Sequence, residues 1–70
     1  MQEVDTLTPL KEMINEFGGI NSLAKLIGVR YSTVSAWINR DKKIPKLRAY
    51  ELESRFNIKK EFLRPDIKDW

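Results

Sequence analysis

The chain contains neither cysteine nor histidine. Without cysteine it forms no disulfide, and without either residue it lacks the usual ligands of a structural zinc site, so packing alone must hold the fold. The same absences remove common catalytic nucleophiles and bases. A chain of 70 residues is also short for enclosing a ligand pocket of roughly several hundred Å³. We therefore expect that the protein is not an enzyme and that it binds no metal, cofactor or small-molecule substrate.

Long apolar runs are missing too. No stretch approaches the roughly 20 apolar residues that cross a bilayer. The first five residues, MQEVD, carry acid where a signal peptide would carry a basic segment, so we expect a cytoplasmic protein with no membrane partner. The length allows one domain with a modest core, to which dimerisation would add.

Basic residues are concentrated in the middle of the chain. The net charge is +3, yet seven lysines and arginines lie between Ala24 and Arg48 against the single acid Asp41. A basic centre flanked by acidic ends suits a surface that binds a polyanion such as DNA. The alternative interpretation is a merely solvated face.

Apolar spacing predicts an all-α fold of four to five helices, with a flexible arm over residues 1–8, a domain over 9–63 and a tail over 64–70. The first helix covers about 9–17, with Thr8 as N-cap and Pro9 in the first helical position. Its apolar face contains Leu10, Met13, Ile14 and Phe17. Gly18 and Gly19 end it, because glycine adopts left-handed backbone without steric cost.

Two short helices follow. Asn21 is predicted to cap one that runs to Ile27, with Leu23, Ala24 and Ile27 facing inward, and Gly28 ends it. The next covers about 31–39 and places Val34, Trp37 and Ile38 on its inner face.

A charged loop over 39–43 then leads to Ile44 and Pro45. The fourth helix is predicted over 46–56, with Ala49, Leu52 and Phe56 inward and Asn57 as C-cap. Residues 59–63 fit one helical turn, which we favour over extended structure in a β-hairpin.

Residues 20–39 have the layout of a helix-turn-helix: two short helices joined by a turn of about three residues. Ala24 is small where the helices approach closely, and Gly28 stands where the turn needs positive φ. Val29, Val34 and Trp37 are apolar at the positions that pack the pair onto the domain. Because all five conditions are met together, the pattern is specific.

The chain resembles the lambdoid phage Cro repressors and the related YdaS-type prophage regulators. The resemblance covers about residues 10–67 and is carried by the following: Phe17-Gly18, Leu23-Ala24-Lys25, Gly28-Val29, Val34-Ser35 with Trp37, Ile44-Pro45, Ala49-Tyr50, Leu52-Glu53 and Arg64-Pro65-Asp66. It implies a compact repressor in a bacterial host cell that reads a short operator in the major groove with the second helix of the motif. In Cro proteins the C-terminal third is helical in some members and β-stranded in others.

A recognition helix enters the major groove by its N-terminus, so the start of the third helix and its outer face would reach base edges. The candidate base contacts are Arg30, Tyr31, Ser32, Ser35, Ala36 and Asn39. Arg30 is the strongest candidate, because it occupies or adjoins the N-cap of the third helix, yet it has no acceptor to cap the helix and its charge opposes the helix dipole. The alternative is that Ser32 starts the helix and Arg30 is a surface turn residue. The two serines would equally suit an ordinary solvated surface.

The preceding helix would cross the phosphate backbone, and basic residues would flank the other side. The candidate phosphate contacts are Asn21, Ser22, Lys25, Arg40, Lys42 and Lys43. Trp37 could stack on a base, but its place beside Val34 favours the core. Glu12 and Glu16 could form a catalytic pair of acids, but we interpret them as part of the solvated face of the first helix.

The rival function is a protein-interaction module, such as an antitoxin with secondary DNA binding. Three aromatic residues are not assigned to the core and are candidate contacts of a weak homodimer that pairs on DNA: Tyr50, Phe62 and Trp70. The operator sequence, and the choice between repressor and activator, do not follow from the residues.

Overall fold

The computed structural model describes residues 4–70, and its regular elements are all helical. In chain order they are α1 (Leu7–Glu16), α2 (Ile20–Ile27), α3 (Tyr31–Ala36), a π-helical turn (Trp37–Asp41), α4 (Lys46–Phe56) and α5 (Lys60–Leu63). No strand occurs between residues 4 and 70. The predicted all-α fold is confirmed, and residues 60–63 form the short helix that we favoured. Residues 1–3 of the predicted arm lie outside the described residues.

A single apolar core joins these elements, because each contributes side chains that are removed from water. The buried apolar residues are Leu10, Met13, Ile14, Leu23, Ala24, Ile27, Val34, Trp37, Ile44, Ala49, Leu52 and Leu63. Phe17, Ile38 and Phe56 pack against them and are partly buried. A fully buried leucine contributes about 1.5–3 kcal/mol relative to an exposed one, so the four leucines of this set are a large part of the stability. The inward positions predicted for the first four helices are confirmed.

The first helix begins earlier than predicted, at Leu7 instead of Pro9. The carboxylate of Asp5 accepts the backbone N–H groups of Leu7 at 3.0 Å and Thr8 at 3.1 Å. These bonds satisfy two of the donors that a helix start leaves free. A hydrogen bond from the Thr8 side chain is the largest cause that lowers the pKa of Asp5, and the two backbone bonds lower it further. Thr8 is therefore not the N-cap. Pro9 remains within the first turn, where its missing N–H group costs nothing.

Two glycines connect α1 to α2. Gly18 has φ 91° and Gly19 has φ 112°, and the N–H of Gly19 donates to the carbonyl of Ile14 at 2.9 Å, which closes the end of α1. The second helix begins directly after them at Ile20, with Gly19 as its N-cap. The prediction that Asn21 caps this helix is wrong: it lies in the first turn.

The fourth helix has the predicted bounds, and Asn57 ends it in left-handed conformation with φ 59°. The carboxylate of Glu53 connects α4 to α5, since it accepts the backbone N–H of Lys60 at 3.0 Å and the Lys60 ammonium at 3.1 Å. The backbone bond is the largest cause that lowers the pKa of Glu53, and the side-chain bond adds to it. One carboxylate thus caps α5 and joins it to α4.

Candidate nucleic-acid interface

The turn between α2 and α3 has the geometry that the glycine pattern predicts. Gly28 adopts φ 76° and ψ 33°, and the N–H of Val29 donates to the carbonyl of Ala24 at 3.0 Å. This bond closes the last turn of α2 and directs the chain into α3 within a few residues. Ala24 is buried, and α2 and α3 pack against each other. The helix-turn-helix layout is therefore present.

The third helix has one buried and one exposed side. Val34 is fully buried and Trp37 is 4% exposed, which confirms Trp37 as a core residue. The predicted base contacts lie away from this side: Arg30, Tyr31, Ser32 and Asn39 are exposed, and Ser35 and Ala36 are half-buried. Tyr31 is the most exposed aromatic residue of the described chain, at 56%. The structure thus brings all six together on one helix and its ends.

Arg30 is the N-cap residue of α3, with extended backbone at φ −77° and ψ 151°. Its side chain makes no capping hydrogen bond, as expected of a side chain without an acceptor. The helix starts at Tyr31, so the alternative start at Ser32 is wrong. A guanidinium beside the free N–H groups of a helix start is unfavourable for the dipole unless an anion or another acceptor joins it.

The end of this helix differs from the prediction. Instead of an α-helix to Asn39 and a loop, a π-helical turn extends from Trp37 to Asp41. The backbone N–H groups of Lys42 and Lys43 both donate to the carbonyl of Trp37, the second at 3.0 Å. Lys42 then adopts left-handed backbone at φ 59°. A wider turn of this kind is rare in proteins and is frequent at functional sites.

The predicted phosphate contacts form two exposed groups. Asn21, Ser22 and Lys25 lie on α2, while Arg40, Lys42 and Lys43 lie beyond the C-terminal end of α3, in and just after the π-helical turn. Among residues 4–70, no carboxylate lies within ion-pair distance of the three lysines or of Arg30. Their charges are available to an external anion.

Two polar contacts beside this surface were not predicted. The hydroxyl of Thr6 donates to the carbonyl of Lys42 at 2.7 Å. The second contact is made by Arg64, a residue that is only 8% exposed. Its guanidinium pairs with the carboxylate of Asp66 and donates to the carbonyl of Ile44 at 2.9 Å. The pair lowers the pKa of Asp66 and raises that of Arg64. Arginine and aspartate two residues apart were the only sequence signal of this pair.

The candidate dimer contacts lie on α4, α5 and the C-terminal segment. Tyr50 is 42% exposed and Phe62 is 45% exposed. Trp70 is half-buried, and its ring meets that of Tyr50 edge-on at 5.2 Å between centroids. The ammonium groups of Lys46 and Lys60 lie 5.5 Å and 5.7 Å from the Trp70 ring centroid, in the range of cation–π attraction. The predicted tail therefore packs on the domain.

Neither a metal site nor a membrane span is found in the described part of the chain. No group of three or more potential acidic ligands is arranged to hold a metal ion among residues 4–70. Within the same range, no helix has the length and apolar character needed to cross a bilayer.

Comparison with known families shows which family the chain resembles. A family model described as DNA-binding transcriptional regulator Cro matches residues 10–59, which include both helices of the motif and all of α4. Comparison with curated proteins and with solved structures gives no match. The matched range is more than half of the chain and contains the whole helix-turn-helix described above. The chain belongs to the Cro family of DNA-binding transcriptional regulators.

Proposed function

We propose that this regulator is a phage or prophage repressor that binds a palindromic operator, with α3 in the major groove. The observation that carries the proposal is the two-sided character of α3: Val34 and Trp37 anchor one side in the core, and the other side is polar and exposed. An α-helix fits the major groove of B-DNA, and its first residues and outer face then reach base edges.

Base recognition is assigned to the exposed side of α3 and its two ends. Arg30 presents a planar fork of donors that matches the O6 and N7 atoms of guanine. Asn39 donates one N–H to the hydroxyl of Ser35 at 2.9 Å, which orients its amide and leaves the amide oxygen free for a base edge. Ala36 would offer its methyl group to thymine, and Tyr31 and Ser32 complete the set.

Phosphate contact is assigned to the two exposed groups on either side of α3. Asn21, Ser22 and Lys25 come from α2, whose N-terminal N–H groups favour an anion. Arg40, Lys42 and Lys43 supply the second group. Such contacts add affinity and salt dependence with little sequence preference. The proposal places the protein in the cytoplasm of a bacterial host, where the operator would be, and requires no small-molecule substrate.

The proposed assembly on DNA is a weak homodimer. A single recognition helix makes only a few base contacts, each worth about 1–3 kcal/mol, which is little for choosing one genomic site. Two copies related by a two-fold axis would read inverted half-sites. The partly exposed aromatic residues on α4, α5 and the C-terminal segment are the surface proposed for pairing: Tyr50, Phe62 and Trp70.

The test is a binding titration against duplex DNA at several salt concentrations, first with a random-sequence duplex and then with sequences selected from a random pool. If each subunit neutralises about four to six phosphates, log K falls by about 0.9 per phosphate for each unit of log salt. Lys25→Gln should lower this slope by about 0.9. Lys59→Gln, an exposed lysine after α4, is the matched control and should leave it unchanged.

A flat salt response, or selection that yields no preferred sequence, would contradict the proposal. A flat response together with retained binding to a protein would favour the rival interaction module. In that case Lys25→Gln and Lys59→Gln would behave alike, because neither charge would meet a phosphate.

A further inference from the structure

Two backbone carbonyls in the segment after the recognition helix are each held by a side chain from a distant part of the chain. The hydroxyl of Thr6, 36 residues earlier, donates to the carbonyl of Lys42 at 2.7 Å. The guanidinium of Arg64, 20 residues later, donates to the carbonyl of Ile44 at 2.9 Å. The segment Lys42–Ile44 is therefore fixed from both sides.

Arg64 is an unusual residue for this position, because burial of a charge is costly unless it is paired and fully hydrogen-bonded. The cost is offset by Asp66, which accepts bonds from Nε at 2.8 Å and from Nη2 at 2.7 Å. Because Nε and Nη2 both donate to Asp66, the remaining nitrogen, Nη1, is free to donate to the carbonyl of Ile44. Asp66 thus orients Arg64, and Arg64 holds the loop.

The loop itself would not keep this form through local preference. Lys42 has φ 59°, a left-handed conformation that is sterically unfavourable for residues other than glycine. It is exposed, as is Lys43, so few side-chain contacts hold the two lysines. The segment is restrained by burial of the Ile44 side chain, by the bonds to the Lys42 and Ile44 carbonyls, and by those from the Lys42 and Lys43 amides to Trp37. Only the core contact of Ile44 lies outside the hydrogen bonds, so the two exposed lysines depend on these bonds.

We infer that Thr6 and Arg64 are positioning residues for DNA binding, which hold Lys42–Ile44 so that the ammonium groups of Lys42 and Lys43 meet phosphates. Neither touches DNA. The inference rests on the proposed function, since it concerns how two of its phosphate contacts are placed. Flexible lysines lose entropy when they bind, and a fixed backbone reduces that loss.

The experiment is a double-mutant cycle between Thr6→Val and the pair Lys42→Gln with Lys43→Gln, measured on a short random-sequence duplex. Thr6→Val removes one hydroxyl and keeps the side-chain shape. One hydrogen bond corresponds to a factor of about two to twelve in an equilibrium constant, so we expect binding about threefold weaker and a smaller salt slope. The effect should vanish when both lysines are glutamine. Thr8→Val, a matched change at the same helix start, should leave binding unchanged.

A second variant tests Arg64 without leaving a charge unpaired. Arg64→Met combined with Asp66→Asn removes both members of the buried pair, which is tolerated better than removal of one. Circular dichroism establishes that the variant folds. If two phosphate contacts are lost, the salt slope falls by about 1.8. A folded double variant with an unchanged salt slope would overturn the role of Arg64, and the Thr6→Val cycle tests the same segment independently.

The outcomes separate the two proposals. If the wild-type protein binds duplex DNA with the expected salt dependence but Thr6→Val weakens it equally in both lysine backgrounds, or has no effect, the positioning role is overturned and the proposed function stands. If wild-type binding is absent or independent of salt, the proposed function is overturned, and the positioning role with it.

Discussion

The guanidinium of Arg40 pairs with the carboxylate of Asp41, its neighbour in the chain. Nε donates to Oδ1 at 3.0 Å, and Nη2 donates to Oδ2 at 3.4 Å. The side chains are 76% and 36% exposed, so both groups face water. The hydrogen bond to Asp41 raises the pKa of Arg40. Asp41 therefore occupies donors of Arg40 that we assign to phosphate.

We predict that Asp41→Asn strengthens binding to duplex DNA. The change removes a carboxylate that competes with phosphate for Arg40 and repels the DNA backbone, while the pair itself is too exposed to contribute much stability. Affinity at low salt should rise several-fold, and the gain should shrink as salt is added because the interaction is screened. Titration by fluorescence anisotropy at two salt concentrations measures both effects.

Asp69→Asn, an exposed carboxylate in the C-terminal segment, makes the same change in net charge and is the control. If both variants gain equally, the effect is one of net charge and the specific competition is rejected.

Arg30→Ala should weaken operator binding without reducing thermal stability. The guanidinium makes no capping bond and its charge opposes the dipole of α3, so its removal costs the fold nothing and gains up to about 0.3–1 kcal/mol. Arg30→Lys retains the charge but not the planar fork, and should keep the salt slope while losing discrimination between bases. Loss of stability with unchanged binding in Arg30→Ala would show that Arg30 is structural.

Glu53→Gln should change how stability depends on pH. The Lys60 backbone and ammonium groups lower the pKa of Glu53 from its ordinary value of 4.5. A carboxyl group with a depressed pKa stabilises the fold above its ordinary pKa, and this contribution is lost as the pH falls towards the depressed value. Glu53→Gln should therefore melt below wild type at neutral pH, and the difference should narrow below pH 4.5.

Thermal melts followed by circular dichroism at both pH values measure this difference. Glu12→Gln on α1 is the control, since that carboxylate makes no hydrogen bond or ion pair with any other residue from 4 to 70. A constant gap between Glu53→Gln and wild type at all pH values would contradict the prediction, because it would show that the ionised carboxylate is not what stabilises the contact.

The free protein should be largely monomeric at micromolar concentration and paired on a palindromic operator. Its partly exposed aromatic set is small, whereas a stable interface needs roughly 800 Å² from each partner. Sedimentation of the free protein, with titration of a full site and of a single half-site, tests this. Equal affinity for both sites, with one subunit bound to each, would exclude a dimer on DNA.

Local sequence patterns predicted the fold well where they are regular. The apolar spacing of α4 and the preference of Asn57 for left-handed backbone gave its bounds correctly, and Gly28 marked the turn of the motif. Arg30 was correctly assigned to the N-cap of α3. Each of these features depends on residues a few positions apart, which a sequence displays directly.

Contacts between distant residues were not predictable in the same way. The bond from Arg64 to Ile44 depends on how α5 packs on the domain, and no local pattern reports that. The π-helical turn had no local sequence signal either: it begins at the buried Trp37 and leads towards the buried Ile44, two core contacts that no local pattern connects. Near Asp5 the error was of another kind: the Asp5 carboxylate, just before the N-cap residue Thr6, accepts the N–H groups of Leu7 and Thr8, so the helix begins before Thr8.

The carbonyl of Trp37 accepts two backbone amides, from Lys42 and Lys43, while its indole is buried in the core. The end of α3 is thus held by hydrogen bonds made within the chain itself, without any contribution from DNA. Folding coupled to binding produces a large negative heat-capacity change and an entropic penalty. If DNA binds through this segment, the heat-capacity change and the entropic penalty should be no larger than the buried contact area alone produces. Binding would then need no further folding of this part of the surface.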